Sequence, residues 1–348
     1  MVPVVDLSRR GQRFASAFAN ATERIAASGS FLLGAELSAF ETEFAHWLGA
    51  EYCVGVASGA AALQLALSAA GIGPGDEVLV PAFTAVPTAS AVAALGAIPR
   101  AVDVDRSTAC VTTETIANGR TSRSKAVIVV HLYGYPADLP ATDLLVIEDA
   151  AQAHGALHDP ARSIATAYSF YPTKNLGGIG DGGAVVTNVA AVAEHVRTLR
   201  VHGMTTQYVH ERVSQNFRMS EIEAAWLRLA LPELTADVDR RRRIVDRYRQ
   251  AAPALCWQSA HPDHAYHLAV FRSADRPQTR AALEAAGVAS AVHYPLAITQ
   301  QPAYRELEHA PSAEAERWAA QCISVPCFPE MTEAEIDHVC SALAGLGR

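Results

Sequence analysis

The 348-residue sequence predicts an α/β fold in which a large domain, built on a mostly parallel central sheet flanked by helices, is followed by a smaller C-terminal α+β domain. Three observations predict it. Between about 50 and 230, short β-branched runs alternate with longer Ala/Leu-rich runs of helical texture. The short runs are apolar on both faces, as strands are when helices cover a sheet on two sides. Past 230 the alternation stops, and one long amphipathic helix leads into mixed short elements. A chain of this length also exceeds a single simple core. The boundary is placed near 235, giving a large domain with an N-terminal arm over 1–235 and a small domain over 236–348.

In chain order, EYCVGVAS (51–58) reads as a strand, GAAALQLALSAAG (59–71) as a helix and DEVLVPA (76–82) as a strand. TAVPTASAVAALG (84–96) is a helix and PRAVDVD (99–105) a strand. The series continues through KAVIVVHLYG, DLLVIEDA, ATAYSFY and GGAVVTN, which ends at 188. PELTADVDRRRRIVDRYRQAAP (232–253) is the long helix. HAYHLAVFRS, PQTRAALEAAG, SAVHYPL, a helix ending at Cys322 with ISVPCFP after it, and TEAEIDHVCSALAGL complete the small domain. No internal repeat or low-complexity tract interrupts the pattern.

Composition narrows the function classes. There are 28 Lys+Arg against 36 Asp+Glu, a net charge of -8. The one basic run, RRRR at 240–243, lies among acids on a helix and reads as a solvated face. Nucleic acid is therefore not the expected partner. The N-terminus MVPVVDLSRR lacks the charged and apolar regions of a leader, and no apolar run is long enough for a membrane span. Six scattered cysteines form neither a CxxC pair nor a Cys/His metal cluster, so free thiols in the cytoplasm are expected.

In parallel sheets ligands gather at the carboxyl ends of the strands, and Ser58, Asp149 and Lys174 fall at or just after such ends. SGAAALQLAL (58–67) opens a helix whose free N–H groups can cradle a phosphate, although a plain Ser58 N-cap explains it equally. In EDAAQAHGA (148–156), Glu148 and Asp149 face opposite sides of a strand, so one enters the crevice. A carboxylate there can keep a heterocyclic nitrogen protonated. In SFYPTKNLGGIGDGG (169–183), Lys174 can form a Schiff base with a cofactor aldehyde and Ser169 can add a hydroxyl to a phosphate. The five glycines between 177 and 183 would let backbone approach a ring closely. Read in isolation, Lys174 is as well explained as a solvated loop lysine.

SGAAAL, VPAFTAVPTASAVAALGAIPRAVDVD, EDAAQAHGA, SFYPTKNLGGIGDGGAVVTN, NFRMSEIEAA and HYPLAITQQPAY occur in this order, and together they resemble one family over nearly the whole chain. This is the DegT/DnrJ/EryC1/StrS group of pyridoxal-phosphate sugar aminotransferases, of the aspartate-aminotransferase fold type I. The resemblance implies that Lys174 is the Schiff-base lysine and later the proton shuttle. It implies that Asp149 partners the pyridine nitrogen and that Gln152 sits beside the phenolic oxygen. Gly59, Ala60 and Ser169 match phosphate-binding positions. Asn216 matches a residue sent into the neighbouring subunit's phosphate site, which implies a homodimer with shared active sites.

The match has departures. Family members usually carry Thr or Ser at the position of Ala60, often an aromatic ring at Ala85, and in many cases a histidine at Thr299. Phe83 is a candidate to replace the missing ring. His154 and His293 are candidate substrate residues beside Tyr294, with packing as the alternative for each histidine. The implied activity is conversion of a keto-sugar, nucleotide-linked, to an amino-sugar, with glutamate or glutamine as donor. Alternatives are a keto-cyclitol or other small ketone as substrate, a sugar dehydratase, which in known relatives has histidine in place of the lysine, and a regulator with an added DNA-binding domain, for which neither end of the chain has room.

Overall fold

The computed structural model describes residues 1–156 and 162–346. Two helices come first, α1 (Leu7–Ser28) and α2 (Ala35–Leu48). The alternating series follows as β1 (Tyr52–Val56), α3 (Gly59–Ala69), β2 (Glu77–Pro81), α4 (Val86–Ala93), β3 (Ile98–Val102), α5 (Thr113–Gly119), β4 (Ser124–Val130), β5 (Leu145–Asp149), β6 (Ala165–Ser169), β7 (Gly183–Thr187) and α6 (Ala190–Arg200). A hairpin of β8 (Met204–Thr206) and β9 (Val209–His210) precedes α7 (Glu221–Ala230) and α8 (Leu234–Ala251). The chain closes with β10 (Cys256–Trp257), β11 (Ala269–Arg272), α9 (Arg276–Ala285), α10 (Ala313–Gln321), β12 (Cys322–Val325) and α11 (Glu333–Leu346).

The main sheet has seven strands in the order β1-β7-β6-β5-β4-β2-β3. Its pairs from β6 through β3 are parallel, and only β7 runs against its neighbours β6 and β1. The expected mostly parallel sheet is thus present. Valine, isoleucine and alanine fill its strands because both faces are covered, and β2, β7 and most of β4 are wholly buried. Register brings Val130 opposite Asp149, Asp149 opposite Ala167 and Ser169 opposite Gly183. The carboxyl ends of three adjacent strands therefore open at one edge.

A three-stranded antiparallel sheet, β10-β11-β12, carries the smaller domain. The boundary expected near 235 falls in the first turn of α8, which serves both cores. Leu234 and Val238 pack with the helices of the large domain, while Ile244, Val245 and Tyr248 pack around β11 and β12. Chain also crosses over in both directions. Val2 bridges to Val288 in the small domain, and Ile298, Trp318 and Cys322 join the large core. No helix of the described residues is long and apolar enough to cross a membrane.

Helix α2 starts at Gly34, which has no side chain to cap it. Buried Glu221, at the start of α7, replaces the cap by accepting from the N–H groups of Gly34 (2.9 Å), Glu36 (2.8 Å) and Leu37 (3.2 Å). Glu221→Ala should leave these donors unpaired and lower stability by about 2–3 kcal/mol. The check is a urea midpoint that falls at unchanged slope; an unmoved midpoint would refute the cap.

Candidate active site

A cavity of about 300 Å³ lies at the carboxyl edge, bounded by the start of α3, the start of α4, the ends of β4 to β6 and the loop after β6. Ser58 caps α3 by accepting from Ala61 N–H (3.1 Å), so the N-cap reading holds. Gly59 and Ala60, the first two residues of the helix, line the cavity together with Ser169. Their N–H groups precede the first intrahelical bond and add to the positive end of the helix dipole. Glycine is required at 59 because a Cβ there would stand 2.6 Å from that of Ser169.

Asp149 closes the cavity from the end of β5. Its Oδ1 accepts from Ala151 N–H (3.1 Å) and its Oδ2 from Thr88 Oγ1 (2.9 Å), with Thr84 Oγ1 3.2 Å from Thr88 Oγ1. Burial pushes the carboxyl pKa up, opposed by these two donors and by the charge on Lys174. Glu148 takes the other face, where His131 (2.9 Å), Ser163 and Thr166 surround it. Alternation therefore sends Asp149, not Glu148, into the crevice.

Lys174 sits in a turn in which its N–H donates to the Tyr171 carbonyl (2.8 Å). Loss of hydration lowers its amine pKa to about 8, against the favourable charge of Asp149. Two clamps hold its loop. Arg10 on α1 donates from Nη1 to the carbonyls of Lys174 (3.1 Å) and Pro172 (3.4 Å), and from Nη2 to that of Asn175 (2.5 Å). Glu223 on α7 accepts from the N–H groups of Ile179 (3.2 Å) and Gly180 (2.9 Å). Arg10, Glu223 and Thr88 carried no sequence signal of their roles.

The glycines after Lys174 answer to these clamps and not to a ring in the cavity. A Cβ at Gly178 would lie 1.5 Å from Glu223 Oε1, one at Gly177 2.2 Å from the Pro172 carbonyl, and one at Gly183 2.3 Å from that of Ser58. None of the five lines the cavity, where only Asp181 of this stretch appears.

Gln152 stands between this cavity and a second one of about 310 Å³ on the small-domain side of Lys174. Its Oε1 accepts from Tyr133 N–H (2.5 Å), and its Nε2 donates to Tyr294 Oη (3.0 Å). Tyr294 and His293 line the second cavity, and His293 Nδ1 lies 2.9 Å from Ser324 Oγ.

Other expected site residues lie elsewhere. His154 is fully buried behind β6, its ring against Tyr168 and Phe170, and lines neither cavity. Burial in that aromatic cluster drops its pKa to about 3, so the packing alternative describes it. Thr299 is also outside both cavities, with Ser312 Oγ at 3.2 Å and Glu316 Oε1 at 3.4 Å. Phe83 does not replace the ring missing at Ala85. It packs against Tyr133 and Trp318, while Ala85 itself lines the first cavity. Asn216 is exposed, accepts from Arg218 (2.9 Å to Nε) and lines neither cavity of its own chain.

The family model of the DegT/DnrJ/EryC1/StrS aminotransferases matches residues 12–344. The chain belongs to this family. It is 39% identical, over 98% of either chain, to the erythromycin biosynthesis sensory transduction protein EryC1 of Saccharopolyspora erythraea. It is 38% identical to the dTDP-3-amino-3,4,6-trideoxy-alpha-D-glucose transaminase of Streptomyces venezuelae, over 98% of this chain and 95% of that one. The crystal structure of S. venezuelae DesV in complex with ketimine intermediate matches with a TM-score of 0.95 at 37% identity, covering 100% of this chain and 98% of the other. The protein is a pyridoxal-phosphate-dependent aminotransferase. Its residues fit that cofactor: a phosphate cradle that a side chain at 59 would fill, a buried carboxylate and a desolvated amine meet in one cavity.

As the expected Schiff-base residue, Lys174 would attack the cofactor aldehyde only as the neutral amine. Since its pKa is lowered to about 8, capture of pyridoxal phosphate by the apo-protein should speed up about tenfold per pH unit below 8 and level off above it. Asp149→Asn removes the charge that raises this pKa, so its plateau should begin at lower pH. Stopped-flow absorbance reads both, with Lys174→Ala as the blank. A profile that still climbs steeply to pH 10 would contradict a desolvated amine.

Proposed function

We propose that this aminotransferase converts a nucleotide-linked keto-sugar to the amino-sugar, taking nitrogen from glutamate or glutamine. The reading is carried by Lys174, whose amine is desolvated opposite Asp149 in a chain 38% identical to a dTDP-amino-sugar transaminase over nearly its full length. Pyridoxal phosphate, when bound, supplies an electron sink for the charge left on a substrate carbon when its proton departs.

The chain's own groups set up that chemistry. Asp149, fixed by Thr88 and Ala151, would face the ring nitrogen of the bound cofactor and hold its proton. The N–H groups of Gly59 and Ala60, with the Ser169 hydroxyl, take the phosphate, and backbone suffices where relatives have a hydroxyl at 60. Gln152, held at both ends, would lie beside the cofactor's phenolic oxygen. Lys174 moves the proton at the reacting carbon, a role that suits an amine with a pKa near neutrality.

Active sites shared in a homodimer complete the proposal. Two surface features support it. The β8–β9 hairpin exposes Tyr208 and Val209, with Val213 exposed just after it, and an apolar groove of about 910 Å³ runs beside α1 past Phe18, Ile179 and Trp226. Six free cysteines, four of them buried, suit the cytoplasm.

The functional test begins with enzyme converted to its pyridoxamine form, to which nucleotide-linked keto-sugars and small keto-cyclitols are added. Return of the absorbance of lysine-bound cofactor with a nucleotide keto-sugar supports the reading. Response to keto-cyclitols alone would replace it. Subunit mixing tests the shared site. Lys174→Ala and Asn216→Ala chains, each inactive alone, should regain about a quarter of wild-type activity when refolded together, because half the dimers are mixed and each has one intact site. An active monomer at assay concentration would rule the shared site out.

A further inference from the structure

The cavity on the small-domain side of Lys174 has a composition unlike that of the first. Lys174, Arg241, His267 and His293 line it, and no carboxylate does. Arg241, on α8, is 4% exposed and His267 is 6% exposed. Arg241 places Nη1 against the carbonyls of Tyr266, His267 and Cys327, leaving Nε buried without a hydrogen-bond partner among the described residues. No ion pair to it occurs among the described residues, and its charge acts on Arg10, His267 and Cys327. His267 Nδ1 is likewise buried and unpaired. A buried guanidinium without an anion is costly unless a ligand supplies one.

We infer that this cavity is a carboxylate subsite for the amino donor, with Arg241 as its anchoring cation and His267 beside it. The inference rests on the transaminase reading above and adds where the donor, as distinct from the sugar, is held. Position fits this role. Lys174, Gln152 and Tyr171 line both cavities, so a ligand here meets the same amine that faces Asp149. Size fits too. A volume of about 310 Å³ is room for about ten waters, which suits a five-carbon diacid and is too small for a nucleoside diphosphate with its sugar. Apolar Val4, Val5 and Leu268 cover the methylene chain that such a diacid presents. Arginine can grip a carboxylate with two parallel N–H bonds, and the carbonyls take Nη1 of Arg241 while its Nε stays unpaired.

The test uses holoenzyme and two probes, glutarate and inorganic pyrophosphate, in calorimetric binding and in competition with each half-reaction. Glutarate should bind once per chain and compete with glutamate, while leaving the keto-sugar half-reaction untouched. Arg241→Met should raise the KM for glutamate about tenfold or more and abolish glutarate binding, with the rate of the keto-sugar half-reaction retained. Arg241→Lys should recover part of the affinity. If Arg241→Met fails to fold because three carbonyls lose their donor, the wild-type competition pattern decides alone. Glutarate that fails to compete with glutamate overturns the inference. So does pyrophosphate that binds here and competes with the sugar, because the cavity would then hold the nucleotide end. A pyridoxamine-form enzyme that no keto-sugar discharges would sink the sugar reading, while glutarate competition would still judge this subsite.

Discussion

Placing an amine where the protein strips away much of its hydration, and holding it there without a permanent partner, is the constraint on which this structure turns. A lysine in solution is protonated and inert as a nucleophile, and desolvation moves it toward neutrality at a cost in stability. That cost is tolerable only if the loop has nowhere else to go. Arg10 grips the loop through three carbonyls, and Glu223 grips its glycine-rich continuation through two N–H groups. These clamps come from α1 and α7, which are locked together by Trp226 against Phe14 and Phe18. Helices on the outside of the sheet thereby fix the position of one side chain at its edge.

The same edge shows how neighbouring carboxylates acquire different roles. Glu148 and Asp149 are adjacent, yet the pleat turns them to opposite faces. On the Glu148 side, the Ala137 N–H donates to His131 Nδ1, so the ring carries its proton on Nε2 and donates it to Glu148. Glu148 is thereby committed to tying β5 to the chain after β4. Among the described residues Asp149 keeps only Thr88 and the Ala151 N–H, both donors, and both favour its charged form. Burial favours the neutral form. A protonated ring nitrogen is the kind of partner that would settle this balance toward the carboxylate.

Features set by local periodicity could be read in the sequence. The parallel sheet, the cap at Ser58 and the convergence of Asp149 and Lys174 all follow from apolar runs ending at polar residues. Contacts between residues far apart in the chain could not. Nothing near Arg10 points to Lys174, since 164 residues separate them. The EDAAQAHGA stretch misleads for a related reason. Once β5 ends, the chain turns, and strand alternation no longer says which way a side chain points. Asp149 and Gln152 reach a cavity, but His154 is carried behind β6 into an aromatic cluster. Five closely spaced glycines resemble a ligand-binding loop, although here the crowding that demands them comes from Glu223, Pro172 and Ser58.

Under the proposed function two substrates of unequal size use the one amine in turn, and the arrangement around Gln152 bears on how. This side chain is bonded at both ends, to Tyr133 of the large domain and to Tyr294 of the segment that returns from the small one. It divides the space near Lys174 into one part with carboxylates in its wall and another with only cations and neutral groups. A cationic wall that carried its own carboxylate would be more stable when empty, but it would compete with any anionic ligand. Leaving Arg241 and His267 unpaired lowers the stability of the empty protein and raises the gain on binding an anion by a comparable amount. Sites commonly sacrifice stability in this way. Here the sacrifice is confined to one side of Lys174, which is how a single amine can face two ligand chemistries without either wall being built for both.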